Sequence, residues 1–179
     1  MTTLQETTAL PTGTWSADTV HSSIGFAVRY TGTVNFKGEF GDFAASLERG
    51  RLEGVAQVAS IEVDDESLAA HLQTPDFFDA ERHPELRFRS ETITRDGDRV
   101  RIDGELTIKG VTKPVVIEGA IHGPATDAFG IERVGLELST VVNRHDFGVS
   151  WNVPLPTGEP ALADDVTIAA DLTLVRAES

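Results

Sequence analysis

Between Val100 and His122 the chain alternates apolar and polar residues twice over, and no other stretch restricts its fold as tightly. Val100, Ile102, Leu106 and Ile108 fall on one face and Arg101, Asp103, Glu105 and Thr107 on the other, the two-residue period of a half-buried strand. Gly104 leaves a gap in the apolar row. After Lys109-Gly110 and a break at Thr112-Lys113-Pro114, the apolar face resumes through Val115, Ile117 and Ile121, with Glu118 and His122 opposite. Two antiparallel strands joined by a connection are predicted. Their dry side has to be covered, because a buried apolar side chain gains its roughly 1.5–3 kcal/mol only while water is kept away. A second sheet, the curvature of a barrel, or in part a ligand can supply that cover.

The same period recurs along the chain. Ile24, Phe26, Val28 and Tyr30 make a bulky face opposite Ser23, Gly25, Ala27 and Arg29, and Phe36, Gly38 and Phe40 share a side of a bent, glycine-containing strand. Strands are expected over about 53–63 and 85–94. Asp96-Gly97-Asp98 marks a hairpin, Gly123 to Asp127 a turn, 132–142 a further strand, and Val166 to Leu174 a last one. One helix is predicted over about 66–79, with Asp64 or Asp65 as N-cap, Leu68, Ala69, Leu72 and Phe77 at helical spacing, and Pro75 limiting it. Phe77 and Phe78 are adjacent, so they point differently, and at least one should plug an apolar opening. Pro154, Pro156, Gly158 and Pro160 make 151–165 a long loop. About eight or more strands with a single helix between them predict an all-β protein, an extended antiparallel barrel. Residues 1–12, threonine-rich and without periodicity, read as a flexible lead-in to one domain spanning 13–179.

Charge and composition narrow the chemistry. A net charge of −14 with no basic patch disfavours nucleic acid and anionic membranes, and the absence of cysteine removes disulfides and thiolate chemistry. The first residues hold neither a basic segment nor an apolar run, so no signal or membrane anchor is expected and the chain is placed in the cytoplasm. His21, His71, His83, His122 and His145 show no metal-ligand spacing, and no G-x-S-x-G is present. No metal, no cofactor and no catalytic residue is predicted. Arg144-His145-Asp146 at a strand end can hold a polar head group, or Arg144 and Asp146 can pair and fix a turn. Arg87, Arg89, Arg99 and Arg101 suit a solvated outer face better than a phosphate site.

Taken in order, Trp15 with Asp18, His21 to Tyr30, Gly38-Glu39-Phe40, His71-Leu72, Asp76 to Asp79, Pro84 to Phe88, Gly104 to Val115, and Asn143-Arg144 with Asp146-Phe147-Gly148 resemble the YceI-like, polyisoprenoid-binding family. The resemblance implies a lipocalin-like barrel that holds a long isoprenoid or similar lipid, polyprenyl or quinone-type, in an apolar tunnel, without catalysis. On that reading the tunnel is walled by Trp15, Ile24, Phe26, Val28, Phe36, Phe40, Phe77, Phe78, Phe88, Ile102, Leu106, Ile108, Leu136, Leu138 and Trp151. His71, Arg144 and His145 are the candidates for the head group. A stress-related interaction module with a filled core and an enzyme acting on an isoprenoid are the alternatives. Strand edges or the Phe77-Phe78 corner would serve a homodimer.

Overall fold

Alternation becomes strand throughout, and the way the sheet closes on itself sets the shape. In the computed structural model, which describes residues 9–177, the strands are β1 (Thr14–Ala17), β2 (Ser23–Tyr30), β3 (Val34–Phe40), β4 (Phe43–Glu48), β5 (Arg51–Gln57), β6 (Ile61–Glu62), β7 (Glu85–Asp96), β8 (Arg99–Ile108), β9 (Val111–Thr126), β10 (Glu132–Asn143) and β11 (Leu162–Arg176). One α-helix, α1 (Glu66–Leu72), lies between β6 and β7. The pairings are antiparallel.

The ring runs β1, β4, β5, β7, β8, β9, β10, β11, and it closes because Leu174 to Arg176 of β11 return to β1. The earlier part of β11 pairs with β2, so β1 and β2 act as one long strand interrupted at residues 18–22. The interruption is stitched down at Thr173. Its carbonyl accepts from Asp18 N at 2.8 Å, and its amide donates to Ser22 Oγ at 2.8 Å. β3 and β4 form a second broken strand, bent at residues 41–42. This gives an eight-membered barrel with one helix, the expected fold class. At the end of the barrel distant from β1, however, β3 pairs with β6 and not with β5. The ring is parted there.

The two ends are packed differently. At the β1 end Trp15, Val100, Ile102, Ile121, Val134, Leu136 and Leu174 are buried, all seven at 4 % exposure or less. Trp15 is the plug: its Nε1 donates to Thr12 O at 3.1 Å, and the Arg176 guanidinium lies 4.5 Å from the ring centroid. Outside it, Arg133 bridges Asp18 (3.1 Å) and Asp127 (2.8 Å).

Several sequence boundaries move, each for a local reason. The break expected at 112–114 is absent: Lys109 and Gly110, both at positive φ, make a two-residue hairpin turn, and β9 starts at Val111. Pro114 sits inside β9, opposite Glu105. The ladder from β9 to β10 begins only at Glu118, so Pro114 occupies an edge, where a missing N–H is tolerated. β9 also runs on to Thr126, and the turn expected at 123–127 comes later, where Asp127 Oδ1 accepts from Phe129 N and Ile131 N. The helix stops at Leu72 instead of about 79, because the residue before Pro75 is pushed off the helical region. Its N-cap is Asp65, whose carboxylate accepts from Leu68 N at 3.0 Å. The strand expected over 53–63 is broken by a 3₁₀ turn at Val58–Ser60, and β11 begins at Leu162, shortening the 151–165 loop. Of the expected lead-in, residues 1–8 lie outside the described residues. Leu10 packs on the core and Pro11 is buried, so residues 9–12 belong to the barrel.

The gap at Gly104 is filled from the next strand. A methyl there would meet the Phe88 ring at 2.7 Å and Arg89 O at 2.5 Å, so the glycine lets Phe88 lie flat across β8. Gly104→Val is therefore expected to destabilise the fold by about 1–3 kcal/mol. Gly54→Ala, where the added methyl meets nothing closer than 3.8 Å, should be neutral or slightly stabilising. Urea unfolding of both variants checks this.

The hydrogen bonds from His21 first and Arg133 second hold the Asp18 carboxyl down at about 2. A folded-state value below the unfolded one of about 3.8 stabilises the protein above about pH 4, and that contribution is lost as pH falls toward about 2. The stability gap between wild type and Asp18→Asn should thus be full near neutrality and close over that acid window, measured by unfolding at a series of pH values.

Candidate functional site

Where β3 and β5 part, the barrel interior is hollow. A cavity of about 600 Å³ lies between the packed β1 end and the cover formed by α1, the turns that follow it and the loop before β11. That volume is within the usual range of small-molecule sites. Its wall is apolar because the inward residues of the strands are apolar: Ile24, Phe26 and Val28 of β2, Phe36 and Phe40 of β3, Leu86 and Phe88 of β7, Leu106 and Ile108 of β8, Leu138 and Val142 of β10, and Val166, Ile168, Ala170 and Leu172 of β11. The filled-core alternative holds only for the β1 end.

The cover is aromatic. Phe78 turns toward the strands, with ring centroids 6.2 Å from Phe26 and 6.1 Å from Phe40. Phe77 turns the other way, 5.3 Å from Trp151 and 5.0 Å from His71. Both phenylalanines line the cavity, so the corner expected to face a second copy faces inward. Leu68, His71 and Leu72 bring α1 onto the same wall. The cover is tied to the barrel by Lys109, whose ammonium donates to Pro75 O at 2.5 Å and Gly148 O at 3.2 Å.

Of the expected wall residues, Ile24, Phe26, Val28, Phe36, Phe40, Phe77, Phe78, Phe88, Leu106, Ile108, Leu138 and Trp151 line the cavity. Trp15, Ile102 and Leu136 do not: they are at most 3 % exposed and pack together in the filled end. The correction is one of level along the barrel, not of face. Leu68, Leu72, Val142, Phe147, Val149, Val166 and Ile168 were not expected in the wall. The alternation of β11 signals Val166 and Ile168, whereas nothing local shows that 147–149 folds back over the mouth.

The head-group candidates separate. His145 points away, its Nε2 2.7 Å from Asp164 Oδ1, and does not line the cavity. His71 lines it but is engaged, with Nε2 3.0 Å from Asp76 Oδ2 and the ring edge-on to Phe77 and Trp151. Arg144 lines it too and is only 5 % exposed. Its expected pairing with Asp146 does not form. A 3₁₀ turn over Arg144–Phe147, capped by Asn143 and ended by Gly148 at positive φ, turns the guanidinium inward. There Nε donates to Ala163 O at 2.8 Å, and Nη1 to Val149 O at 2.9 Å and Trp151 O at 2.8 Å. Nη2 is buried with no acceptor. Burial pushes the guanidinium pKa down, partly opposed by the charge of Asp164.

Among the described residues no three His, Asp or Glu side chains gather as a metal site, and no helix is long and apolar enough to cross a membrane. The outer arginines sit on the solvated face as expected: Arg87 pairs with Glu85, Arg89 with Glu105 and Arg101 with Asp103.

Residues 15–174 match the YceI-like domain family. The UPF0312 protein plu2095 of Photorhabdus laumondii is 30% identical over 134 residues, covering 71% of this chain and 70% of that one. Among solved structures, a Campylobacter jejuni YceI protein superposes with a TM-score of 0.70 at 28% identity, over 81% of this chain and 87% of that one. A polyisoprenoid binding domain from Saccharophagus degradans, implicated in plant cell wall breakdown, does so with a TM-score of 0.72 at 12% identity, over 91% and 98%.

Removing the Lys109 tie should loosen the cover without disturbing the barrel. In Lys109→Met the amides of Phe77, Phe78, Asp79 and Ala80, which bond back to Leu72, Gln73 and Thr74, are expected to exchange with deuterium about tenfold faster. Those of β8 and β10 should keep their wild-type rates.

Proposed function

The chain belongs to the YceI-like family, and on that premise we propose that its cavity binds the apolar chain of a long lipid, an isoprenoid first of all, to sequester or carry it unchanged. The observation that supports this most is the hollow itself, a space of about 600 Å³ walled by apolar side chains at one end of a barrel whose other end is filled. Each methylene buried there is worth roughly 0.8 kcal/mol, so a few isoprene units suffice for micromolar binding after the cost of association. The likeness in fold to a domain described as polyisoprenoid-binding supports the choice of chain. The aromatic cover also suits it, since Phe26, Phe78 and Trp151 offer flat faces to methyl-branched units.

Organic extraction of freshly purified protein followed by mass spectrometry is expected to release a prenyl-type lipid near one equivalent. Ala170→Phe places a ring in the hollow and should lower the extracted amount about tenfold while leaving the unfolding midpoint unchanged or raised. A protein that yields no lipid, and that takes up no added prenyl chain, would overturn the reading.

A further inference from the structure

We propose that Arg144 is the anchor for the polar end of the ligand, and that it selects a head group ending in one monoanionic oxygen group, a carboxylate. The inference rests on the reading that the cavity holds a lipid chain. It is carried by an imbalance in the wall. A guanidinium has five N–H donors, and Arg144 spends those of Nε and Nη1 on the carbonyls of Ala163, Val149 and Trp151. The two of Nη2 have no acceptor although the nitrogen is buried.

The charge, like the Nη2 donors, has no partner in contact. Among the described residues no carboxylate touches the Arg144 guanidinium: Asp164, whose charge it feels, is bonded to His145 at 2.7 Å on the outside. A buried cation with no carboxylate in contact is costly, and an anionic oxygen on Nη2 would satisfy both the donors and the charge. A neutral alcohol or hydrocarbon would answer at most the donors. A diphosphate would bring more negative charge than one guanidinium balances, and the neighbouring cation at this end, Lys109, is already held by the carbonyls of Pro75 and Gly148. The overall charge of −14 works in the same direction against a multiply charged ligand.

A matched series sharing one saturated isoprenoid chain tests the proposal: phytane, phytanol, phytanic acid and phytanyl diphosphate, each titrated into delipidated protein by calorimetry. Phytanic acid is expected to bind about ten- to a hundredfold more tightly than phytane and phytanol, the range of a charge-assisted hydrogen bond, and more tightly than the diphosphate. In Arg144→Lys, which keeps the charge but loses the second nitrogen, the ratio of acid to phytane affinity within that protein should fall to within about threefold. Arg144 also pins three carbonyls, so the wild-type series decides the matter should that variant fold poorly. Equal binding of all four, or tightest binding of the diphosphate, overturns the anchor while leaving the chain-holding reading intact. Failure of every member to bind overturns both.

Discussion

Everything in this structure follows from how β11 divides its edge. An eight-stranded barrel is about wide enough either to be filled by its own side chains or to hold one small ligand, so the way the ring closes at each level decides which. Here Leu174 to Arg176 close on β1, and the barrel is full at that level, with Trp15 across it. Lower down the same strand pairs with β2, which carries β3 outward until β3 meets β6 and not β5. The parted wall is then roofed by α1 and the Phe77-Phe78 turn. One strand edge thus yields a plugged end and a hollow end, and the fold needs no separate device for either.

The roof explains why aromatic rings gather where they do. A helix of two turns cannot cover the opening with aliphatic side chains alone, and Pro75 ends it early, so the chain returns over the gap as turns. Those turns are held by their own backbone bonds and by the Lys109 ammonium, a polar attachment in which each acceptor is a main-chain carbonyl. The apolar rings below supply contact area and the ammonium supplies position. Arg144 repeats that division of labour: three carbonyls fix the segment that returns over the cavity, and the leftover nitrogen is what makes the wall chemically asymmetric.

Much of this was readable in the residues. Period-two alternation gave the longer strands, though not the short β1 and β4, nor β6 as a separate strand, and the faces it assigned follow because a one-residue slip would have exposed every apolar side chain. The wall residues of β2, β3 and β8 followed directly. What alternation cannot give is height along the barrel: Ile102 and Ile108 share a face and a strand, yet one is packed in the plug and the other lines the hollow. That difference is set by which strands stand opposite, a property of closure and not of local sequence. Arg144 was singled out beside His145 and Asp146, but whether it turned to Asp146 or inward depended on the 3₁₀ turn capped by Asn143. The length of the helix and the start of β9 were misjudged where proline was read as a boundary in one case too weakly and in the other too strongly. Its effect depends on whether the missing N–H was needed.

The inner wall also bears on what can occupy it. Small residues stand where larger ones would meet across the hollow: Ala45, Gly54, Ala56 and Ala170 all line it. A core selected only for stability would gain from larger side chains at such places, since each void forfeits dispersion contacts and leaves lining atoms without partners. An apolar cavity also gives water too few polar partners to make it a good filling. The lining therefore gains most from a flexible apolar chain, which restores the missing contacts on every side at once. Among the described residues Arg144 Nη2 is the buried side-chain donor of that lining left without an acceptor, so the wall is not equally apolar along its length.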